Sequence, residues 1–147
     1  MIYDNTLLFS DGQAFTATAP STNVVDLGVT GTPYGSSTPL TRDVGIGCDP
    51  LPLSVRVTTA FAGLTSLQVV VQTSADNSTW LDVEASRAVP VAELVAGFQF
   101  HVPDYIPEGV RRRYMRLNYV VVGTGTAGAI TAGAVMARQT NRTFGGA

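Results

Sequence analysis

The clearest structural signal in this 147-residue chain is Tyr114-Met115-Arg116-Leu117-Asn118-Tyr119-Val120-Val121. Every second residue from Met115 onward is a large apolar side chain, and polar residues fill most positions between them. Successive side chains of a β-strand point to opposite faces, so this period of two predicts a strand with one core-facing row. The same period recurs along the chain. We therefore predict an all-β fold, a jelly-roll-like antiparallel β-sandwich forming a single domain over residues 1–147.

Four further segments repeat the alternation, with turn-forming residues between them. They are residues 53–58, 67–72, 98–102 and 130–136. Weaker strands are predicted at residues 5–9, 13–18, 23–27 and 80–85. Turns are predicted at residues 10–12 and 75–78, and a glycine-rich hairpin loop at residues 123–128. Only residues 91–95, which follow Pro90, permit a turn of helix.

The segment 28–52 differs from the rest of the chain because it holds five glycines, four prolines and few apolar residues. Loops of this length within a compact domain are usually functional. We predict a long Gly/Pro-rich loop here that becomes ordered on contact with a partner.

Charge is unevenly distributed along the chain. Residues 1–110 hold all eleven acids and three arginines, which gives −8, whereas residues 111–147 hold six arginines and no acid. The chain has no lysine, and its single cysteine, Cys48, excludes an intrachain disulfide. No apolar run approaches the roughly 18 residues of a membrane helix, and the first residues show no secretory pattern.

Sequence motifs for catalysis are weak. The glycines at 123–128 match a dinucleotide-binding pattern, but the residues after them alternate like a strand rather than a helix. His101 is the only histidine and is predicted to face solvent or an interface, so a zinc site lacks ligands. Asp82 and Glu84 are two residues apart, which predicts that they share the wet face of a strand. We predict no catalytic residue, no cofactor and no metal site.

The sharpest cluster is basic and aromatic. We predict a protein interface made of Arg111, Arg112, Tyr114 and Arg116, with Arg42 and Tyr34 contributed by the long loop. Arginine and tyrosine are enriched at the centres of protein interfaces. The alternatives are a solvated face or a nucleic-acid site. The acidic composition of the whole chain disfavours nucleic acid.

Several segments resemble one family. Residues 1–28, 61–76, 113–119 and 123–139 resemble the capsid cement (decoration) proteins of the Bordetella-phage type, in order and over nearly the whole chain. The resemblance implies a jelly-roll protein on the exterior of a tailed-phage head, made in the host cytoplasm. It implies binding to the major capsid protein as a homodimer or homotrimer, without contact to nucleic acid or membrane, and no catalytic residues.

Two other classes remain open at this point. A carbohydrate- or receptor-binding jelly roll of a virion predicts exposed aromatic residues such as Tyr3, Tyr34, Trp80 and Tyr105. A small hydrolase predicts a pocket in which His101 meets an acid and a hydroxyl group. For the cement protein, the double change Arg112→Glu with Arg116→Glu is expected to leave the fold intact and weaken binding to the shell.

Overall fold

A computed structural model describes residues 3–40, 51–106 and 112–137, and regular structure there is almost entirely β. The strands are β1 Leu8–Ala14, β2 Ala19–Pro20, β3 Val25–Asp26, β4 Leu51–Ser74, β5 Leu81–Ala85, β6 Val89–Pro90, β7 Tyr105–Ile106 and β8 Tyr114–Ala134. Two single-turn 3-10 helices span Asn5–Leu7 and Val91–Glu93. All the strand pairings are antiparallel, which confirms the predicted fold class.

Two long strands form the framework of the sheet. β4 and β8 pair from Leu53 opposite Ala134 to Ser74 opposite Tyr114. The sheet runs in the order β1-β8-β4-β5, while β2 and β3 add to β8 and β6 and β7 add to β4. The strands β1 and β5 therefore lie at opposite ends of this path.

The long pair curls around one hydrophobic core. Register shifts interrupt the ladder between Val57 and Ser66, and such bulges bend a strand and increase its twist. Val55 and Val69 lie on either side of this bend and belong to the same buried cluster. The two halves of β4 therefore line one core from two sides, as the layers of a sandwich do. The fully buried side chains include Phe9, Leu53, Leu67, Leu94, Phe100, Ile106, Met115, Leu117, Tyr119 and Ile130.

The predicted hairpin loop at residues 123–128 is wrong, because these glycines lie inside β8. Gly123 and Gly128 both have positive φ, at 90° and 138°. Glycine adopts such angles without steric cost, so the strand can bend and shift register here without ending. β4 likewise continues through its own bend between Val57 and Ser66. The alternating segments 53–58 and 67–72 are therefore two halves of β4, and not separate strands.

Three smaller expectations were also corrected. The predicted turn at residues 10–12 lies within β1, where the register shifts and Gly12 has φ +56°. The segment 98–102 forms only an isolated bridge, between Gln99 and Arg56. Met136 is 99% exposed and not part of the core row.

The helical turn after Pro90 is confirmed. Residues 28–40 of the predicted long loop contain no strand, β4 begins at Leu51, and residues 41–50, with Cys48, lie outside the described part. Within the described residues, no helix is long and apolar enough to cross a membrane.

Candidate protein-binding surface

Four residues just before and at the start of β8 form what we call the arginine end: Arg112, Arg113, Tyr114 and Arg116. Here β3 pairs with β8, so that Asp26 lies opposite Tyr114. Arg113 donates from Nε to Asp26 Oδ1 at 2.7 Å and from Nη2 to Oδ2 at 2.8 Å. This two-point pairing matches the planar guanidinium to the carboxylate, and it raises the pKa of Arg113. The beginning of β8 is thereby fixed to β3.

The same carboxylate holds the root of the long loop. Asp26 Oδ1 also accepts a hydrogen bond from the amide of Gly28 at 2.7 Å. The amide of Leu27 bonds to the carbonyl of Arg113 at 2.8 Å. Residues 28–40 therefore leave the sheet beside the arginine end.

The described part of this loop is closed by its own backbone hydrogen bonds. The amide of Leu40 donates to the carbonyl of Gly31 at 2.9 Å. At the tip, the amide of Ser36 donates to the carbonyl of Pro33 at 3.0 Å. Gly35, at φ +78°, occupies the turn position that requires a positive φ. Tyr34 precedes it and is fully exposed, so the loop presents an aromatic side chain on a defined turn.

A polar row crosses the outer face of the sheet next to the arginine end. Arg116 donates from Nε to Gln72 Oε1 at 2.9 Å, and Gln72 Nε2 donates to Asp82 Oδ1 at 2.7 Å. The Arg116 guanidinium carbon lies 4.0 Å from the centre of the Trp80 ring, which is within cation–π distance. Desolvation lowers the pKa of Arg116. We call these four residues the Arg116 ladder.

The predicted interface residues divide into four groups. Arg112 is half-buried and makes no hydrogen bond or ion pair with the described residues. Tyr114 and Arg116 share the outer face of β8, with the Arg113 guanidinium 4.9 Å from the centre of the Tyr114 ring. Tyr34 projects from the adjoining loop. Arg42 and Arg111 lie outside the described residues.

The structure also adds residues that the sequence did not single out as partners. Asp26 was assigned to a weak strand, and its pairing with Arg113 spans 87 positions. Gln72 was placed only as a polar residue of an alternating segment. A turn at 75–78 brings Gln72 opposite Asp82. That predicted turn is the sequence feature from which this pairing could have been inferred.

The prediction that Asp82 and Glu84 share a face is wrong. Asp82 pairs with Gln72 and Glu84 pairs with Val71, so the bulge at Val83 turns the two carboxylates to opposite faces. Glu84 lies on the core side, and its buried Oε2 has no hydrogen-bond partner among the described residues. Desolvation raises the pKa of Glu84, and the negative charge of Asp104 adds to this effect. His101 is exposed, in agreement with the sequence prediction.

One family model, Bbp16, matches residues 9–136. The match runs from the second residue of β1 to just beyond the end of β8, so it covers all the strands described above apart from Leu8. No curated protein matches the chain.

Proposed function

The chain belongs to the Bbp16 family, which is a family of Bordetella phage proteins, and on this premise we propose that it is a capsid cement protein. It binds the outside of a tailed-phage head as a homo-oligomer and bridges neighbouring major capsid subunits. It has no catalytic role. The observation that supports this proposal is the joint fixation of the arginine end and the Tyr34 loop by Asp26.

A surface held in this way suits protein binding. Arginine and tyrosine contribute strongly when they are buried at the centre of an interface. Side chains and loops that are already ordered lose less conformational entropy on docking. In an oligomer, modest contacts act together because each bound copy raises the effective concentration of the next. An oligomer can therefore bridge many pairs of neighbouring capsid subunits although each single contact is small.

The structure changes the choice of test variants. Arg116 stacks on Trp80 and bonds to Gln72, so Arg116→Glu would remove both contacts, set a carboxylate against the Gln72 side-chain oxygen and disturb the sheet itself. Arg112 has no such partner among the described residues. Tyr34 is fully exposed. Arg112→Glu and Tyr34→Ala are therefore expected to leave the fold intact.

The test is co-sedimentation with empty heads that lack the protein. We expect the wild-type chain to bind, and Arg112→Glu and Tyr34→Ala each to weaken binding about tenfold. Arg87→Gln is the control, because Arg87 is an exposed arginine whose partner is Glu93. Failure of the wild-type chain to bind heads would overturn the cement function. Normal binding by both variants would show that this surface is not the contact.

The same preparation tests the carbohydrate-binding alternative. The Arg116 guanidinium covers one face of the Trp80 ring, so that face is occupied before any sugar could stack on it. Binding to a glycan array by wild-type protein, lost in Tyr34→Ala, would favour the receptor-binding function instead. The native mass in solution tests the oligomer that cementing requires.

A further inference from the structure

The outermost strand β5 has an open edge. It ends the path β1-β8-β4-β5, and among the described residues β4 is its only strand partner. An edge strand presents unpaired backbone N–H and C=O groups that can pair with another chain. Leu81 is 46% exposed and Val83 is 38% exposed on this strand. The edge therefore offers both hydrogen-bonding groups and apolar side chains.

Two acidic residues determine which strand can pair there. Residues 81–85 carry two acids and no cation. If β5 paired antiparallel with β5 of a second copy, four carboxylates would lie along one seam, and like charges brought close together repel each other. The bulge at Val83 also twists the strand away from a flat edge. Pairing between identical copies is thus opposed at this edge.

A strand with basic side chains would be attracted to this edge. Asp82 is exposed on the outer face, and on the core side Glu84 has an oxygen to which no residue of the described ranges donates a hydrogen bond. A strand that carries arginine or lysine on alternate residues would place a cation near one of these carboxylates while its apolar residues met Leu81 and Val83. Main-chain hydrogen bonds would supply affinity, and the alternate side chains would supply specificity.

We propose that the open edge of β5 receives an extended, arginine- or lysine-bearing segment of the major capsid protein as an added strand. This inference rests on the proposed cement function and names the kind of partner segment that the function would use. The arginine end and the β5 edge are then two separate contacts, at the start of β8 and at the margin of the sheet.

The experiment measures amide hydrogen exchange of the full-length protein, free and bound to empty heads. We expect the amides of residues 81–85 to exchange at least about tenfold more slowly when the protein is bound. β1 ends the sheet path on the opposite side and serves as the internal control, with unchanged exchange. The double variant Asp82→Asn with Glu84→Gln is expected to bind heads about tenfold more weakly. Asparagine retains an oxygen that can accept the hydrogen bond from Gln72.

Each outcome decides between named alternatives. Heads that bind the protein without slowing exchange at residues 81–85 would overturn the strand-addition proposal and leave the cement function standing. Slowed exchange in concentrated protein without heads would identify a second copy as the occupant and overturn the proposal. A double variant that binds heads normally but self-associates would show that the acids serve only to protect the edge. Protein that does not bind heads at all would overturn both proposals.

Discussion

The ring of Phe61 lies against the backbone of Gly128, so close that a Cβ atom built on this glycine would be 1.9 Å from Phe61 Cδ1. Phe61 belongs to the buried cluster and also contacts Phe15, with ring centres 5.2 Å apart. Gly128 combines this contact with φ +138°, an angle that other residues rarely adopt. The bend of the β4–β8 pair therefore depends on a residue without a side chain.

We expect Gly128→Ala to lower the free energy of unfolding by about 2–4 kcal/mol, because the methyl group clashes with Phe61 and the backbone is strained. Urea unfolding followed by fluorescence measures the change. Gly12→Ala is the matched control, since Gly12 has φ +56° and open space around its Cα. It should lower the free energy of unfolding by about 1 kcal/mol, the cost of holding alanine at a positive φ. Equal losses in the two variants would contradict a role for the Phe61 contact.

The local pattern predicted which side chains are buried better than it predicted where strands end. Val55 and Leu117 are fully buried, as their alternation indicated. Glycines suggested a hairpin at 123–128 because a positive φ is common to turns and bulges, and only the pairing partner tells the two apart. A bulge likewise moved Glu84 to the opposite face from its predicted one. Its position depends on the register with β4, which the residues around Glu84 do not encode.

The candidate surface was predicted only in part for a related reason. The sequence drew attention to Arg112, Tyr114 and Arg116 because they are close together in the chain. The pairing of Arg113 with Asp26 and of Arg116 with Trp80 joins residues far apart in sequence. Such contacts follow from strand order, and strand order is set by the whole core.

The contact between Arg116 and Trp80 is expected to stabilise the outer face of the sheet. A double-mutant cycle with Arg116→Gln and Trp80→Leu should give a coupling energy of about 0.5–1 kcal/mol, the usual size of a partly exposed cation–π contact. Chemical unfolding of the four proteins provides the measurement. A second cycle, pairing Trp80→Leu with Arg87→Gln, is the control and should give no coupling, because Arg87 pairs with Glu93 instead. Strictly additive losses in the first cycle would contradict the contact.

Glu84 makes the folding stability depend on pH in the direction opposite to that of most acidic residues. Burial, together with the nearby charge of Asp104, raises the pKa of Glu84 in the folded protein, while the unfolded chain keeps the ordinary glutamate value. Between these two pKa values the folded state binds more protons, so stability falls as pH rises through the raised pKa. We therefore expect Glu84→Gln to be more stable than wild type at pH 7.

The advantage of Glu84→Gln should disappear near about pH 3, where the carboxyl is protonated in both states. Thermal unfolding across this pH range measures it. Glu93→Gln is the matched control, because Glu93 pairs with Arg87 on the surface and its loss should bring no gain at pH 7. A less stable Glu84→Gln protein at pH 7 would show that the carboxylate has a favourable partner in solution.

The carboxylate of Asp26 joins the arginine end to the long loop. Its removal should therefore loosen the loop while changing the free energy of unfolding only a little. We expect Asp26→Asn to lower the free energy of unfolding by at most about 1 kcal/mol, because the pair with Arg113 is partly exposed and screened by solvent. The amide cannot accept from Arg113 with two charged oxygens, and its bond to the Gly28 amide is weakened. The loop root then opens more often. Limited proteolysis should cut within residues 28–40 several-fold faster than in wild type.

Asp11→Asn is the control for this comparison, since Asp11 is an exposed acid in β1, away from the loop. It should leave both stability and cleavage unchanged. If the Asp26→Asn protein instead loses several kcal/mol, the pairing with Arg113 is required for the sheet itself. If cleavage within the loop stays at the wild-type rate, the hydrogen bonds from Leu40 to Gly31 and from Ser36 to Pro33 suffice to hold the loop. In that case the presentation of Tyr34 depends on the turn and not on its anchor to β8.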